Sequence, residues 1–135
     1  VRNPQQILAE AKVIAVVGAS RDPGKPAHTV PLRMQQYGWR IIPVNPQANE
    51  LFGERVYRSL AEIPEPVDLV DVFRPAAEAV EVTREAVVIG ARGVWLQLGI
   101  ISPEARRIAT DAGLDYVEDR CLAIERALGD LRRAV

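Results

Sequence analysis

Val13-Ile-Ala-Val-Val17, followed at once by Gly18-Ala-Ser-Arg-Asp-Pro-Gly-Lys-Pro-Ala-His28, is the stretch that decides the fold class. A short continuous run rich in β-branched residues, stopped by a glycine, reads as a strand covered on both faces, as in a parallel sheet. Working outward, the pattern recurs in Arg40-Ile-Ile-Pro-Val44, Asp68-Leu-Val-Asp-Val-Phe73, Val94-Trp-Leu-Gln-Leu98 and Leu114-Asp-Tyr-Val-Glu118. The segments between read as helices. One runs from near Ala27 or Thr29 to Tyr37 and stops at Gly38. A second opens at Pro75, carries Ala76, Ala79, Val80, Thr83 and Val87 on one face, and stops at Gly90. Ser102-Pro-Glu104 spells an N-cap, a first-turn proline and an acidic residue suited to the helix dipole, and that helix stops at Gly113. Shorter helices are expected at Pro4–Ala11 and Leu122–Arg133, and the irregular stretch Pro46–Pro66 should hold one helical turn at Ser59–Glu62.

Strand–helix alternation with five strands predicts an α/β fold, a doubly wound Rossmann-like parallel sheet in the order 3-2-1-4-5. At 135 residues the chain is expected to form one domain, residues 1-135. Ligands of such sheets bind beyond the carboxyl ends of the strands, here at a switch point between strands 1 and 4. With 48% hydrophobic and 26% charged residues the composition is that of a folded soluble protein. A net charge of −1 argues against a nucleic-acid partner, which needs a basic footprint. The run at Val13–Val17 is far too short to span a membrane, and Val1-Arg-Asn-Pro-Gln-Gln6 lacks a signal-peptide pattern, so a cytoplasmic location is expected. The single cysteine, Cys121, forms no internal disulfide, and no metal-ligand spacing occurs.

The carboxyl-edge residues then carry the chemistry. Gly18 permits a tight turn and close approach of a ligand to backbone amides. Ser20 adds a hydroxyl; Arg21, Lys25 and His28 add donors; a helix start follows, so an anion such as a diphosphate fits. The loop is neither G-x-G-x-x-G nor a phosphate loop, and Asn45-Pro46 stands where nicotinamide binding usually places an acid. Arg74 sits on the rim, either forking onto ligand oxygens or capping a strand end. Gln97, one polar residue in an apolar strand, either bonds a neighbouring loop or reads a ligand, and the ligand reading is carried forward. A lone histidine such as His28 is more often structural than catalytic. Cys121 either has an activated thiol or packs as a small hydrophobe.

Seven words in order, Val16-Val-Gly-Ala-Ser20, Ile42-Pro-Val-Asn-Pro46, Gly53-Glu-Arg-Val-Tyr57, Pro64-Glu-Pro-Val-Asp68, Val70-Asp-Val-Phe-Arg74, Val94-Trp-Leu-Gln-Leu-Gly99 and Asp119-Arg-Cys121, resemble the stand-alone CoA-binding proteins. That family is related to the N-terminal domain of the succinyl-CoA synthetase α subunit. The resemblance implies coenzyme A, or an acyl-CoA, lying across the strand ends. Gly18, Ala19, Ser20 and Lys25 would hold phosphate, with Arg21 beside them. Val44, Asn45 and Pro46 would line the nucleotide end, and Phe73, Arg74, Gln97 and Gly99 the pantetheine path. The synthetase loop is richer in glycine, its acid after strand 4 is missing here, and its phosphohistidine domain has no counterpart in these residues. The expected function is therefore CoA binding with no catalytic residue assigned. Two alternatives stand beside it: the nucleotide-binding subunit of an acyl-CoA ligase completed by a partner chain, and an NAD(H)-binding redox sensor. A homodimer is compatible with the sequence.

Overall fold

The computed structural model describes residues 2–133. Helix α1 (Pro4–Glu10) is closed by a capping box in which Asn3 and Gln6 bond reciprocally. Strand β1 (Val13–Val17) leads to α2 (Pro26–Gln36), and β2 (Arg40–Val44) follows. A hairpin of β3 (Glu50–Leu51) and β4 (Glu54–Arg55) and a 3-10 turn at Leu60–Glu62 lead to β5 (Leu69–Val72). Then come α3 (Ala76–Val88), β6 (Gly93–Leu96), α4 (Pro103–Asp111), β7 (Asp115–Val117) and α5 (Leu122–Leu128). The Ser102 side chain accepts from the Ala105 N–H at 3.1 Å, the cap its sequence promised, worth about 1 kcal/mol.

The α/β class and the five-stranded parallel sheet are as expected; the strand order is not. It runs β2-β1-β5-β6-β7, so the five long strands stand in the order 2-1-3-4-5 instead of 3-2-1-4-5. This is the other common doubly wound order, and its switch point lies between β1 and β5 instead of between strands 1 and 4. Pro43 gives the physical reason. Its carbonyl accepts from the Tyr57 N–H on the outer side of β2, so its missing N–H also falls on that side. A second full ladder there would lack a donor, which keeps β2 at the edge. Leu69, Val70 and Val72 of β5 are completely or almost completely buried and belong in the centre.

Alternate strand residues feed two cores. Ile14, Val16, Leu69 and Trp95 pack with Leu8, Met34 and Leu122 beneath α1, α2 and α5. Ala15, Val70, Val72, Val94 and Leu96 pack with Ala79, Val82, Ala86 and Ala105 beneath α3 and α4. Each large aliphatic side chain buried this way contributes about 1.5–3 kcal/mol. The inner face of α3 is Ala79, Val82, Thr83 and Ala86, rotated from the expected stripe, because Val80 and Val87 are only half-buried. The last helix ends at Leu128, short of Arg133, since Gly129 caps it and Asp130 turns to φ 49°. The stretch Pro46–Pro66 also holds the hairpin, whose two-residue turn, Phe52-Gly53, has φ 57° and 74°. No helix among the described residues is long and apolar enough to cross a membrane.

Candidate functional site

Gly18 leaves β1 at φ +90° and its N–H donates to the Val44 carbonyl at 3.1 Å. Phe73 leaves β5 and its N–H donates to the Val17 carbonyl at 2.9 Å. A Cβ at position 18 would lie 2.9 Å from both Arg74 Cδ and the Phe73 carbonyl oxygen, so only glycine lets the two chain exits touch. They form a ridge over the switch point, where a doubly wound sheet receives ligands. Arg74 lines a cavity on one side of this ridge, and Phe73 lines a second one.

The first cavity, about 490 Å³, is lined by Gly18, Val44, Asn45, Pro46, Arg58 and Arg74, with Glu78, Glu81 and Glu85 of α3 opposite. Its loop is knit from within. Asn45 Nδ2 donates to the Ala19 carbonyl at 2.8 Å, and its Oδ1 accepts from Gln47 and Ala48 N–H at 2.7 and 2.8 Å. Arg58 donates to the Asn45 and Ala48 carbonyls and to Asn49 Oδ1. Arg74 Nη2 donates to both Glu78 oxygens, at 2.7 and 3.0 Å, with its side chain 44% exposed. An exposed pair of this kind is worth at most about 1 kcal/mol, so Arg74 can re-pair with another anion at little cost. Desolvation, and then the nearby Glu81 charge, hold the Glu85 carboxyl above the usual range.

The second cavity, about 530 Å³, lies between α2 and α5. Val30, Phe73, Leu98, Ile100 and Ile124 make it apolar, and Lys25, Thr29, Gln97 and Cys121 are its polar members. Cys121 is half-buried. Gln97, only 3% exposed, donates from Nε2 to Asp71 Oδ1 at 2.7 Å. Asp71 is fully buried and its Oδ2 has no partner among the described residues. Burial pushes the Asp71 carboxyl up to about 8, against the opposing hydrogen bonds from Gln97 and the Val72 backbone.

The loop from Gly18 to His28 crosses the strand ends. Ser20 Oγ accepts from the Asp22 N–H at 3.0 Å, and the Ser20 N–H donates to the Ala27 carbonyl at 3.1 Å. His28 Nδ1 lies 2.7 Å from the Ser20 carbonyl; a carbonyl only accepts, so Nδ1 carries the proton. Its ring also packs 5.2 Å from Phe52, and the sole histidine is thus a strut under the loop. The N–H groups of Ala19, Arg21 and Ala27 meet no acceptor among the described residues, and neither Arg21 nor Lys25 forms an ion pair among them. Free amides beside two cations, at the start of an 11-residue helix, suit phosphate oxygens. The groups present therefore fit a diphosphate flanked by a polar and an apolar moiety.

Of the residues singled out from sequence, Gly18, Val44, Asn45, Pro46 and Arg74 meet in the charged cavity, and Lys25, Phe73 and Gln97 in the apolar one. Ala19, Ser20 and Arg21 lie on the loop and line neither. Gly99 is apart from both; its N–H donates to Asp119 Oδ1 at 2.7 Å. Sequence reasoning missed Arg58 and the glutamates of α3. Arg58 carries no local signal, because its partners form only when the loop after β2 folds back.

A protein-family model described as "CoA binding domain" matches residues 12–127. The uncharacterized protein YneT of Bacillus subtilis (strain 168) is 36% identical over 124 residues, covering 92% of each chain. The α subunit of an ADP-forming acetate–CoA ligase II from Pyrococcus furiosus is 37% identical over 122 residues, which are 82% of this chain but 27% of that subunit. The solved structure of cell-free ID.343 from Thermus thermophilus is 44% identical, with a TM-score of 0.86 over 90% of this chain and 92% of that one.

Proposed function

The chain belongs to the CoA-binding domain family, and from that premise we propose that it binds CoA or an acyl-CoA along the carboxyl edge of its sheet. The observation that carries this reading is the pair of unlike cavities flanking the ridge of Gly18, Phe73 and Arg74. CoA is itself a polar nucleotide and a largely apolar arm joined by a diphosphate. The free amides at Ala19 and Arg21, with Lys25, take the diphosphate. The side with Val44, Asn45, Pro46 and Arg58 takes the nucleotide, whose amino and hydroxyl groups can donate to Glu81. The pantetheine arm enters between Val30, Phe73 and Ile124 and ends near Gln97. A site mostly walled by fixed apolar groups with a few polar contacts is the ordinary form of a small-molecule pocket. Calorimetric titration with CoA tests it. Saturable binding that disappears in Ser20→Trp and weakens in Arg74→Ala supports the reading; no heat and no thermal shift at millimolar CoA removes it.

The identity with the Pyrococcus furiosus ligase α subunit favours a second reading, in which the chain is the nucleotide-binding part of a multi-chain acyl-CoA ligase. The chain spans about a quarter of that subunit. Acyl-CoA formation on adding a co-purifying partner would select this reading; a chain that binds CoA but supports no turnover with such a partner would reject it.

A further inference from the structure

We infer that Asp71 is the positioning residue for Gln97: it anchors one end of the Gln97 amide inside the sheet and leaves the other end as a polar contact in the wall of the apolar cavity. The register brings the two together. Asp71 stands opposite Trp95 in the β5–β6 pair, and Gln97 follows two residues on, so both side chains leave the same face of the sheet. The bond between them is 2.7 Å and buried. Asp71 has no exposure and lines neither cavity, so it meets no ligand itself. It also has no basic partner among the described residues; Gln97 is its one side-chain bond. A buried carboxyl is costly in a strand whose neighbours are Leu69, Val70 and Val72, and the group it holds is the one that reaches the cavity.

Gln97 is almost wholly buried, yet it lines the cavity, and its Oε1 accepts nothing among the described residues. Either protonation state of Asp71 engages only one end of the amide. In either state Asp71 Oδ1 accepts from the NH2 group, which leaves the amide oxygen as the free end. The remaining end faces walls formed by Val30, Phe73, Ile100 and Ile124. There it suits a secondary amide set in an otherwise apolar arm. This ligand assignment rests on the CoA reading above; the anchoring itself does not.

The test has two arms. In the first, CoA affinity is measured for wild type, Asp71→Val, Asp71→Asn, Gln97→Leu and the Asp71→Val/Gln97→Leu double variant, with Asp71→Ala replacing the valine variant if that fails to fold. The expected result is a loss of about tenfold in Asp71→Val and in Gln97→Leu. Asp71→Asn, which still bonds one end of the amide, restores most of the affinity. The double variant is no weaker than Gln97→Leu alone, since Asp71 acts through that side chain. Wild-type affinity in Asp71→Val, or losses that multiply in the double variant, would overturn the inference. In the second arm, the Gln97 side-chain NH2 signals, identified by their loss in Gln97→Leu, are followed by NMR without ligand. Faster exchange and a changed shift in Asp71→Val, largely restored in Asp71→Asn, support the anchor; signals unmoved by Asp71→Val refute it. A wild type that ignores CoA would sink the functional reading while this second arm still judges Asp71.

Discussion

The two cavities share one ridge and differ in almost everything else. On the side of β2 and α3, Arg58 and Arg74 face three glutamates, and the wall is held by side chains bonding to backbone carbonyls. Between α2 and α5 the wall is aliphatic and aromatic, and two of its members, Leu98 and Ile124, are 64% and 51% exposed. Under the CoA reading proposed above, the contrast teaches how a short strand-end crevice would select a long ligand. Polar bonds would set direction on one side, contact area would supply attraction on the other, and the glycine at the junction would keep them continuous.

The largest effect is expected behind the apolar side, from Asp71 itself. Its carboxyl is raised from 3.8 to about 8, so between those values the native state keeps a proton that the unfolded chain has released. Stability therefore falls as pH rises through this window, with a slope from this group approaching about 1.4 kcal/mol per pH unit, and levels off above it. Well below pH 3.8 both states are protonated and the group contributes no slope. In Asp71→Asn this component should vanish. Denaturant melts at several pH values for both proteins measure it, and parallel stability–pH curves would show that burial does not govern this carboxyl.

Next comes the junction. In Gly18→Ala the residue must hold a left-handed φ and place its Cβ 2.9 Å from a carbonyl oxygen. The positive φ alone costs about 1–2 kcal/mol, and the contact prises the two chain exits apart. Thermal melts should show the destabilisation, and CoA titration should show both halves of the site failing together. A variant that melts lower yet binds CoA normally would mean that the ridge does not couple the cavities.

Gly18 and the Ser102 cap were legible because each is a local backbone requirement written in one or two residues. The five strands were legible for the same reason, as continuous apolar runs. Their order was not, although Pro43 held the clue: a proline whose missing donor faces outward marks an edge. That misplacement had a chemical consequence. In the order 3-2-1-4-5 the strand bearing Asp71 is far from the one bearing Gln97, so two isolated polar residues could not be recognised as a pair. In the observed sheet β5 and β6 are neighbours and the 2.7 Å bond follows. The Phe52-Gly53 turn escaped because a left-handed phenylalanine is an unusual turn residue. The carbonyls Arg58 binds lie 10 to 13 residues back, out of reach of any periodicity argument.

A smaller, more selective effect separates the cavities by using ligand fragments. Ile124→Asp places a charge on the exposed lip of the apolar cavity. CoA affinity should fall about tenfold through the cost of placing apolar groups against an unpaired carboxylate, while ADP, lacking the arm, should bind as before. Arg58→Ala should do the reverse, weakening ADP and CoA alike while leaving pantetheine untouched. Calorimetry with the three ligands reads both variants, and an Ile124→Asp protein that loses ADP would contradict the division of labour.

The smallest effect is expected at Arg74. Its bond to Glu78 joins two side chains that are 44% and 50% exposed, a pair solvent screens strongly, so Arg74→Ala should leave the melting temperature within about 2 °C. Binding is the sharper readout. To meet a diphosphate, Arg74 must exchange one carboxylate partner for another anion, so only the difference between two charge-assisted bonds is gained. A three- to tenfold loss of CoA affinity is the expected size, about what a rim charge contributes. Glu78→Gln should act in the opposite direction, because it frees the guanidinium without moving it. Raising the salt concentration should shrink both effects together, since both report charges in contact with water. If Glu78→Gln instead weakens CoA as much as Arg74→Ala does, the carboxylate itself touches the ligand, and the charged cavity reads the nucleotide from its acidic wall and not its basic rim.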